Sequence, residues 1–237
     1  MKYAYDLHLH TALSPCADDD MTPNNVVNMA MLKGLAIIAI TDHNSIANCK
    51  ACMKVGAELP ILVIPGMELQ TKEDVHVLCY FPSLEKAEAF GESVEQYRLP
   101  LPNKPNKFGN QILMNEKDDN IGEYPYALIT SLDVTLDQVV KLVAELNGVV
   151  VPAHLDRSSN SILSNLGFMP PELNVKTVEV SKRTDKDTFI SKNPMIKSYN
   201  IMQSSDAHTL AGIAEPDQFL DIEGDLTIQS VLDKIRG

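Results

Sequence analysis

The sequence predicts an α/β fold with a largely parallel sheet, and three observations carry that reading. Short apolar runs of strand length alternate with longer segments of helical period. The chain has 237 residues, 44% of them hydrophobic, enough for one large domain of the size that α/β barrels reach undivided. Seven of the apolar runs read as buried strands, once one loop-and-hairpin segment is set aside as an insertion.

Tyr3 to Leu9 is the first expected strand. Thr22-Pro23 opens a helix with a cap and a proline in its first turn, and Val26, Val27, Ala30 and Met31 carry it to Gly34. Leu35 to Ile40 is the second strand, Ser45 to Gly56 the second helix and Ile61 to Met67 the third strand. Only Leu69 to Asp74 separates that strand from Val75 to Phe81, too little chain for a helical crossover, so the fourth strand is expected to return antiparallel. Glu85 to Tyr97 is helical, and residues 99–129 form the insertion, a proline-dotted loop and a hairpin turning at Asp118-Asp119-Asn120. Leu136 to Asn147 is a helix closed by Gly148. Val149 to Ala153, Lys176 to Val180 and Tyr199 to Gln203 are the last buried strands, and Ile228 to Ile235 is a closing helix. The whole chain, 1–237, is read as a single domain.

Charge and composition exclude several functions. Twenty Lys+Arg against 32 Asp+Glu give a formal charge of −12, which repels long nucleic acid and anionic membranes. No apolar run is long enough to span a bilayer, and Met1 to Asp6 enters strand pattern without a signal-peptide core. Four cysteines in a chain of this length suit a reducing compartment, so the cytoplasm is expected. Phosphate-loop, dinucleotide and serine-hydrolase motifs are missing. Cys49-Lys50-Ala51-Cys52 has no second pair and lies inside an expected helix, so buried packing is its reading.

The chemistry lies in the histidines. His8, His10, His43, His76, His154 and His208 all fall at or beside the end of a strand-like run. His8 and His10, two apart on a strand, share a face and reach one cation together. The C-terminal ends of parallel strands open on one face, and the start of an antiparallel neighbour points there too. All six imidazoles are therefore expected to converge with Glu68 and Asp206 on a multi-metal site, although a lone strand-end histidine is usually a satisfied one.

His8-Leu9-His10, Thr41-Asp42-His43, Gly66-Met67-Glu68, His154 and Ser205-Asp206-Ala207-His208 resemble, in order, the motifs of the PHP (polymerase and histidinol phosphatase) family. The resemblance implies a distorted seven-stranded, TIM-like β/α barrel and a cleft of two or three divalent ions that hydrolyses phosphate esters. It implies a first ion held by His8, His10, Glu68 and Asp206. A second would be bridged through Glu68 and completed by His76 and His154, and a third held by His43, His208 and one acid. The family's Ser-Asp-Gly reads Ser14-Pro15-Cys16 here, followed by Asp18-Asp19-Asp20, so the acid has moved; Asp20 is the first choice and Asp18 the second.

Nitrogen and oxygen donors suit Zn, Mn or Fe and disfavour a thiolate site; Cys16 lies near the same face, but nothing in the sequence makes it a ligand. The expected step is in-line attack of a metal-activated hydroxide on phosphorus, with Glu68 and Asp206 central and Asp42 orienting an imidazole. Arg157, Lys182 and Arg183, in loops on the metal face, are the candidates for binding phosphate. A small phosphomonoester or short nucleotide is the expected substrate. Histidinol phosphate is a specific alternative, and a non-catalytic metal-binding regulatory module is a rival from another class. The helix directions place the insertion 99–129 beside the cleft as a possible lid.

Overall fold

A computed structural model describes residues 1–237. The chain runs through β1 (Lys2–Leu9), α1 (Pro23–Leu32), β2 (Ile37–Ile40), α2 (Cys49–Ala57), β3 (Leu62–Gln70), β4 (His76–Tyr80) and α3 (Leu84–Glu95). The insertion follows, with α4 (Pro105–Phe108) and the hairpin β5 (Ile112–Met114) and β6 (Asn120–Glu123). Then come α5 (Leu136–Glu145), β7 (Val149–Pro152), α6 (Ile162–Leu166), β8 (Thr177–Ser181), α7 (Lys186–Lys192), β9 (Asn200–Ser204), β10 (Phe219–Asp221) and α8 (Ile228–Arg236). Local chemistry starts the helices where the sequence announces them. Thr22 caps α1, with Pro23 in its first turn, and Thr135 closes a capping box with Gln138 on α5.

The distorted barrel takes the form of a curled mixed sheet in the order β10-β1-β2-β3-β4-β7, with the parallel pair β8-β9 beside it. β4 runs antiparallel to both β3 and β7, as the short Leu69–Asp74 connection requires. The pair β8-β9 sits between β7 and β1. Leu155 N–H donates to Glu179 C=O at 2.8 Å on one side, and Leu9 bridges Ala207 in parallel on the other. The ladder stays incomplete because β10, absent from the sequence reading, pairs with Lys2 to Ala4 on the edge of β1. β9 meets β1 only at its far end. Tyr5, Leu7, Ile37, Ile64, Leu78, Tyr80, Val151 and Met202 fill the inside of the curl, and Val231, Leu232 and Ile235 of α8 pack against them. Outer clusters pack α1 and α2 on one side and α3 and α5 on the other.

No helix is long and apolar enough to cross a membrane.

Candidate metal centre

Strand alternation explains how most of the site is aimed. On β3, Val63 and Met67 face the outer helices while Ile64 faces the inside, so Glu68, four residues beyond Ile64, points inward. The same alternation carries Leu78 and Tyr80 inward with His76, and Ile37 and Ala39 inward with His43. β1 needs a correction to its period. Tyr5 and Leu7 face the interior, so strict alternation sends His8 and His10 outward. A bulge between Asp6 and Leu9 resets the phase: Leu9 joins the outer cluster and the two histidines turn into the site. His154 and Asp206 are turned by left-handed backbone, φ 31° and 53°, in a region non-glycine residues rarely occupy.

The carboxylate of Glu68, 1% exposed, is the hub. Its Oε1 lies 2.9 Å from His76 Nδ1, 3.0 Å from His154 Nε2 and 3.4 Å from His8 Nε2. Its Oε2 lies 3.0 Å from His43 Nδ1 and 3.4 Å from His10 Nε2. Asp206 Oδ1 stands 3.1 Å from His10 Nε2 and 3.3 Å from His8 Nε2. Three sets of ligand atoms each converge within 4.8 Å: His8, His10, Glu68 and Asp206; His43, Glu68 and His76; and His10, His43 and His208.

Hydrogen bonds on the far nitrogens decide which lone pairs face inward. His8 Nδ1 is held by both Glu179 oxygens at 3.0 and 3.2 Å, so in the neutral ring Nδ1–H donates and Nε2 keeps its lone pair. His208 Nδ1 lies 2.9 Å from the Asp206 carbonyl, an acceptor only, which frees its Nε2 in the same way. Ser14 Oγ spends its proton on Asp42 at 2.7 Å, so it accepts from His10 Nδ1 at 2.9 Å and from His43 N–H at 3.1 Å. Three imidazoles thus present Nε2 lone pairs inward, as metal ligands do. Buried His8 Nε2, His76 Nε2, Glu68 Oε2 and Asp206 Oδ2 find no well-directed hydrogen bond within the protein. Such a set fits divalent cations.

The electrostatics agree. Burial opposes charge on His10, but the Asp206 and Glu68 carboxylates outweigh it and push its pKa up to about 9. Against the same burial, Glu68 together with the Cys16 thiol raises His43 to about 9. His8 is also raised, since Asp206, Glu179 and Glu68 overcome its burial. Burial and the neighbouring His10 push His208 the other way, down to about 3. Burial likewise disfavours the charged carboxylate of Glu68, yet the surrounding histidines hold it well below the usual range.

The other expected residues fall differently. Asp42 touches no imidazole; buried, it accepts from Thr11 N–H, Thr11 Oγ1 and Ser14 Oγ, each at 2.7 Å, and acts on His10 through Ser14. Asp18 and Asp20 are exposed and join none of the three sets, because the turn after Ser14 carries them out to the surface. Arg157, half-exposed, pairs with Asp206 at the rim. Lys182 donates to Gly212 C=O at 2.6 Å, and Arg183 is exposed. Glu179 was not anticipated. It is 1% exposed and also accepts from His154 N–H at 3.0 Å. An acid between Val178 and Val180, both packed outward, is the signal that finds it.

A curled α/β sheet that gathers histidines and carboxylates at one end defines a protein of the metal-centre barrel class. The PHP domain matches residues 6–163, and the chain belongs to that family. A 5'-3' exoribonuclease of Haemophilus influenzae is 32% identical over 71 residues, covering 30% of this chain and 25% of the relative. A lesion-specific endonuclease from Pyrococcus furiosus shares the fold, with TM-score 0.73 and 19% identity over 100% of this chain and 56% of that one. A Bifidobacterium adolescentis protein assigned as a metal-dependent phosphoesterase matches with TM-score 0.58 and 19% identity over 98% and 96% of the two chains. The chain therefore spans about half or less of two of these three proteins.

Proposed function

We propose that this chain is a metal-dependent phosphoesterase acting on a small phosphomonoester or a short nucleotide. The observation that carries the reading is the convergence of three ligand sets, two of them sharing the Glu68 carboxylate, with imidazole tautomers set to face inward. His8, His10, Glu68 and Asp206 would hold one ion, and Glu68, His76 and His154 the next. Bound divalent ions supply Lewis acidity to phosphoryl oxygens and lower the pKa of water. Glu68 would serve both positions, and Glu179 and Ser14 hold His8 and His10 in the orientation a ligand needs. Arg157, at the rim, releases Asp206 to bind phosphate oxygens through its planar fork. Burial of the ligands keeps bulk water away from the charged groups.

The likeness to an exoribonuclease favours a second substrate class, the end of a short oligoribonucleotide. The formal charge of −12 opposes a long one. Metal-loaded protein should hydrolyse p-nitrophenyl phosphate or release mononucleotides from a short labelled RNA, with Zn, Mn and Fe supplied separately. Arg157→Ala should raise KM and leave metal content unchanged. Full metal loading without turnover of either substrate identifies a regulatory metal-binding module instead.

A further inference from the structure

We propose that the cavity between α3 and the insertion is a binding site, separate from the metal centre, for a neutral molecule bearing a vicinal diol, as an unphosphorylated sugar or ribonucleoside does. The inference goes beyond the phosphoesterase reading and does not depend on it.

The cavity encloses about 570 Å³, which is room for a molecule of that size. Ile46 and Met67 give it an apolar side. Met67 packs outward in the cluster that holds Phe90 and Val94 of α3, whereas Glu68, the next residue, turns inward to the histidines. Strand β3 therefore stands between the cavity and the metal centre.

Arg98 is the residue that calls for an occupant. Its side chain is 3% exposed, and its charge is already balanced, since both Glu95 oxygens accept from Nε–H at 2.9 Å. Nη2 donates to Asn44 C=O at 2.7 Å. Nη1 is buried in the cavity wall and has no partner in the protein. A buried donor is costly to leave unpaired, so the occupant supplies an acceptor oxygen, and that oxygen need not be anionic.

The opposite demand comes from α3. Glu88 and Glu92 stand one turn apart on the face that lines the cavity, and neither carboxylate has a hydrogen-bond or ion-pair partner. Carboxylates only accept, so the occupant must donate to them. An ammonium satisfies the carboxylates and leaves Nη1 unpaired. Neighbouring hydroxyls meet both demands, and an acidic side chain holds ribose hydroxyls in this manner in dinucleotide sites. Glu88, Glu92 and Glu95 against one arginine repel a phosphate group, which selects the unphosphorylated molecule. Tyr124 of the insertion donates to Glu95 at 3.0 Å, and its ring, 5.1 Å from the Arg98 guanidinium, adds an aromatic wall.

Calorimetric titration of the full chain, metal-free and zinc-loaded, tests the site with adenosine, 2'-deoxyadenosine, ribose and glucose. Adenosine or one of the sugars should bind, with the same Kd in both forms. A sugar binding as tightly as adenosine identifies a sugar site, and adenosine binding more tightly than either sugar identifies a ribonucleoside site. Loss of the 2'-hydroxyl should weaken adenosine binding about tenfold or more, as should AMP in place of adenosine on the metal-free chain. Glu92→Gln, an exposed change, should weaken binding about tenfold while Tm stays the same, and Arg98→Lys should weaken it further. Affinity that requires zinc, equal affinity for adenosine and 2'-deoxyadenosine, or affinity unmoved by Glu92→Gln overturns the proposal. So does the absence of binding by adenosine and both sugars at millimolar concentration. The phosphoesterase reading stands or falls separately, on metal content and turnover.

Discussion

The two sides of the centre differ in the charge they bring. On one side Glu68 and Asp206 lie among His8, His10, His76 and His154, with Glu179 behind His8. On the other, His43 and His208 converge with His10, and no carboxylate belongs to the set. The carboxylates raise His10 and His43 to about 9, whereas burial and the His10 charge hold His208 at about 3. A site with its own anions takes up a divalent ion strongly and resists its loss. A site of imidazoles alone binds a divalent ion more weakly. On the proposed metal-dependent reading the chain would carry a tightly held pair and a more exchangeable third position, and each prediction bears on that contrast.

The largest effect belongs to Glu68→Ala, which removes the donor common to two of the sets. Metal content should fall by about two equivalents, and phosphoesterase activity should fall to background. The same change strands buried imidazolium groups, so the metal-free variant should lose about 3–5 kcal/mol in denaturant unfolding. A variant that keeps its full metal content contradicts the shared-carboxylate arrangement.

Glu179→Gln comes next. The amide still accepts one hydrogen bond from His8 Nδ1 but loses the charge and the second oxygen. Affinity at the carboxylate side should drop about 10–100-fold in chelator competition, with the His43–His208 side unaffected. Equal weakening of both sides reduces Glu179 to a general stabiliser of the fold.

Acidity separates the metal-free and metal-loaded proteins. His10 and His43 have folded pKa values near 9, above the roughly 6.5 of an unfolded histidine. Their pairing with Glu68 and Asp206 therefore stabilises the metal-free protein fully below about pH 6.5, and that contribution is lost as pH rises through about 9. Ions compete with these protons, so metal affinity should climb over the same interval. Thermal unfolding of both forms from pH 6 to 9.5 should show their Tm values diverging. Parallel curves contradict the assignment.

The smallest effect on the centre is expected from the insertion. Ile112 N–H donates to Ala12 C=O at 2.8 Å, and Asn110 binds Asp19, so this segment rests on the loop that follows His10. Gly109 makes the contact possible: its φ is +99°, and a Cβ there falls 1.8 Å from Pro15 O. Replacing Leu101 to Tyr124 with a short Gly-Ser linker should leave metal content intact and change the ranking of substrates. An unchanged ranking removes the lid role.

How much of this was legible depended on how regular the backbone is. Glu68, His76 and His43 follow from strand alternation, which a sequence displays, and the short Leu69–Asp74 link revealed the antiparallel β4. His8 and His10 were found for a reason that does not survive intact, since their inward face depends on a bulge that no residue pattern announces. His154 and Asp206 likewise rely on left-handed backbone. The third-site acid was sought along the chain, in Asp18 to Asp20, whereas the turn at Ser14 selects by geometry and leaves them in solvent. Glu179 was hidden inside a run read only for its valines. Short elements such as β10, α6 and α7 went unseen because 3 to 7 residues show too little period to declare a face.

The central claim is that Glu68 is shared between ions, and metal counting tests it most directly. Elemental analysis of protein loaded with zinc and freed of excess should find more than one equivalent per chain. Glu68→Ala should fall well below that value while retaining its circular dichroism. A wild-type content at or below one equivalent, or a Glu68→Ala content equal to wild type, contradicts the account.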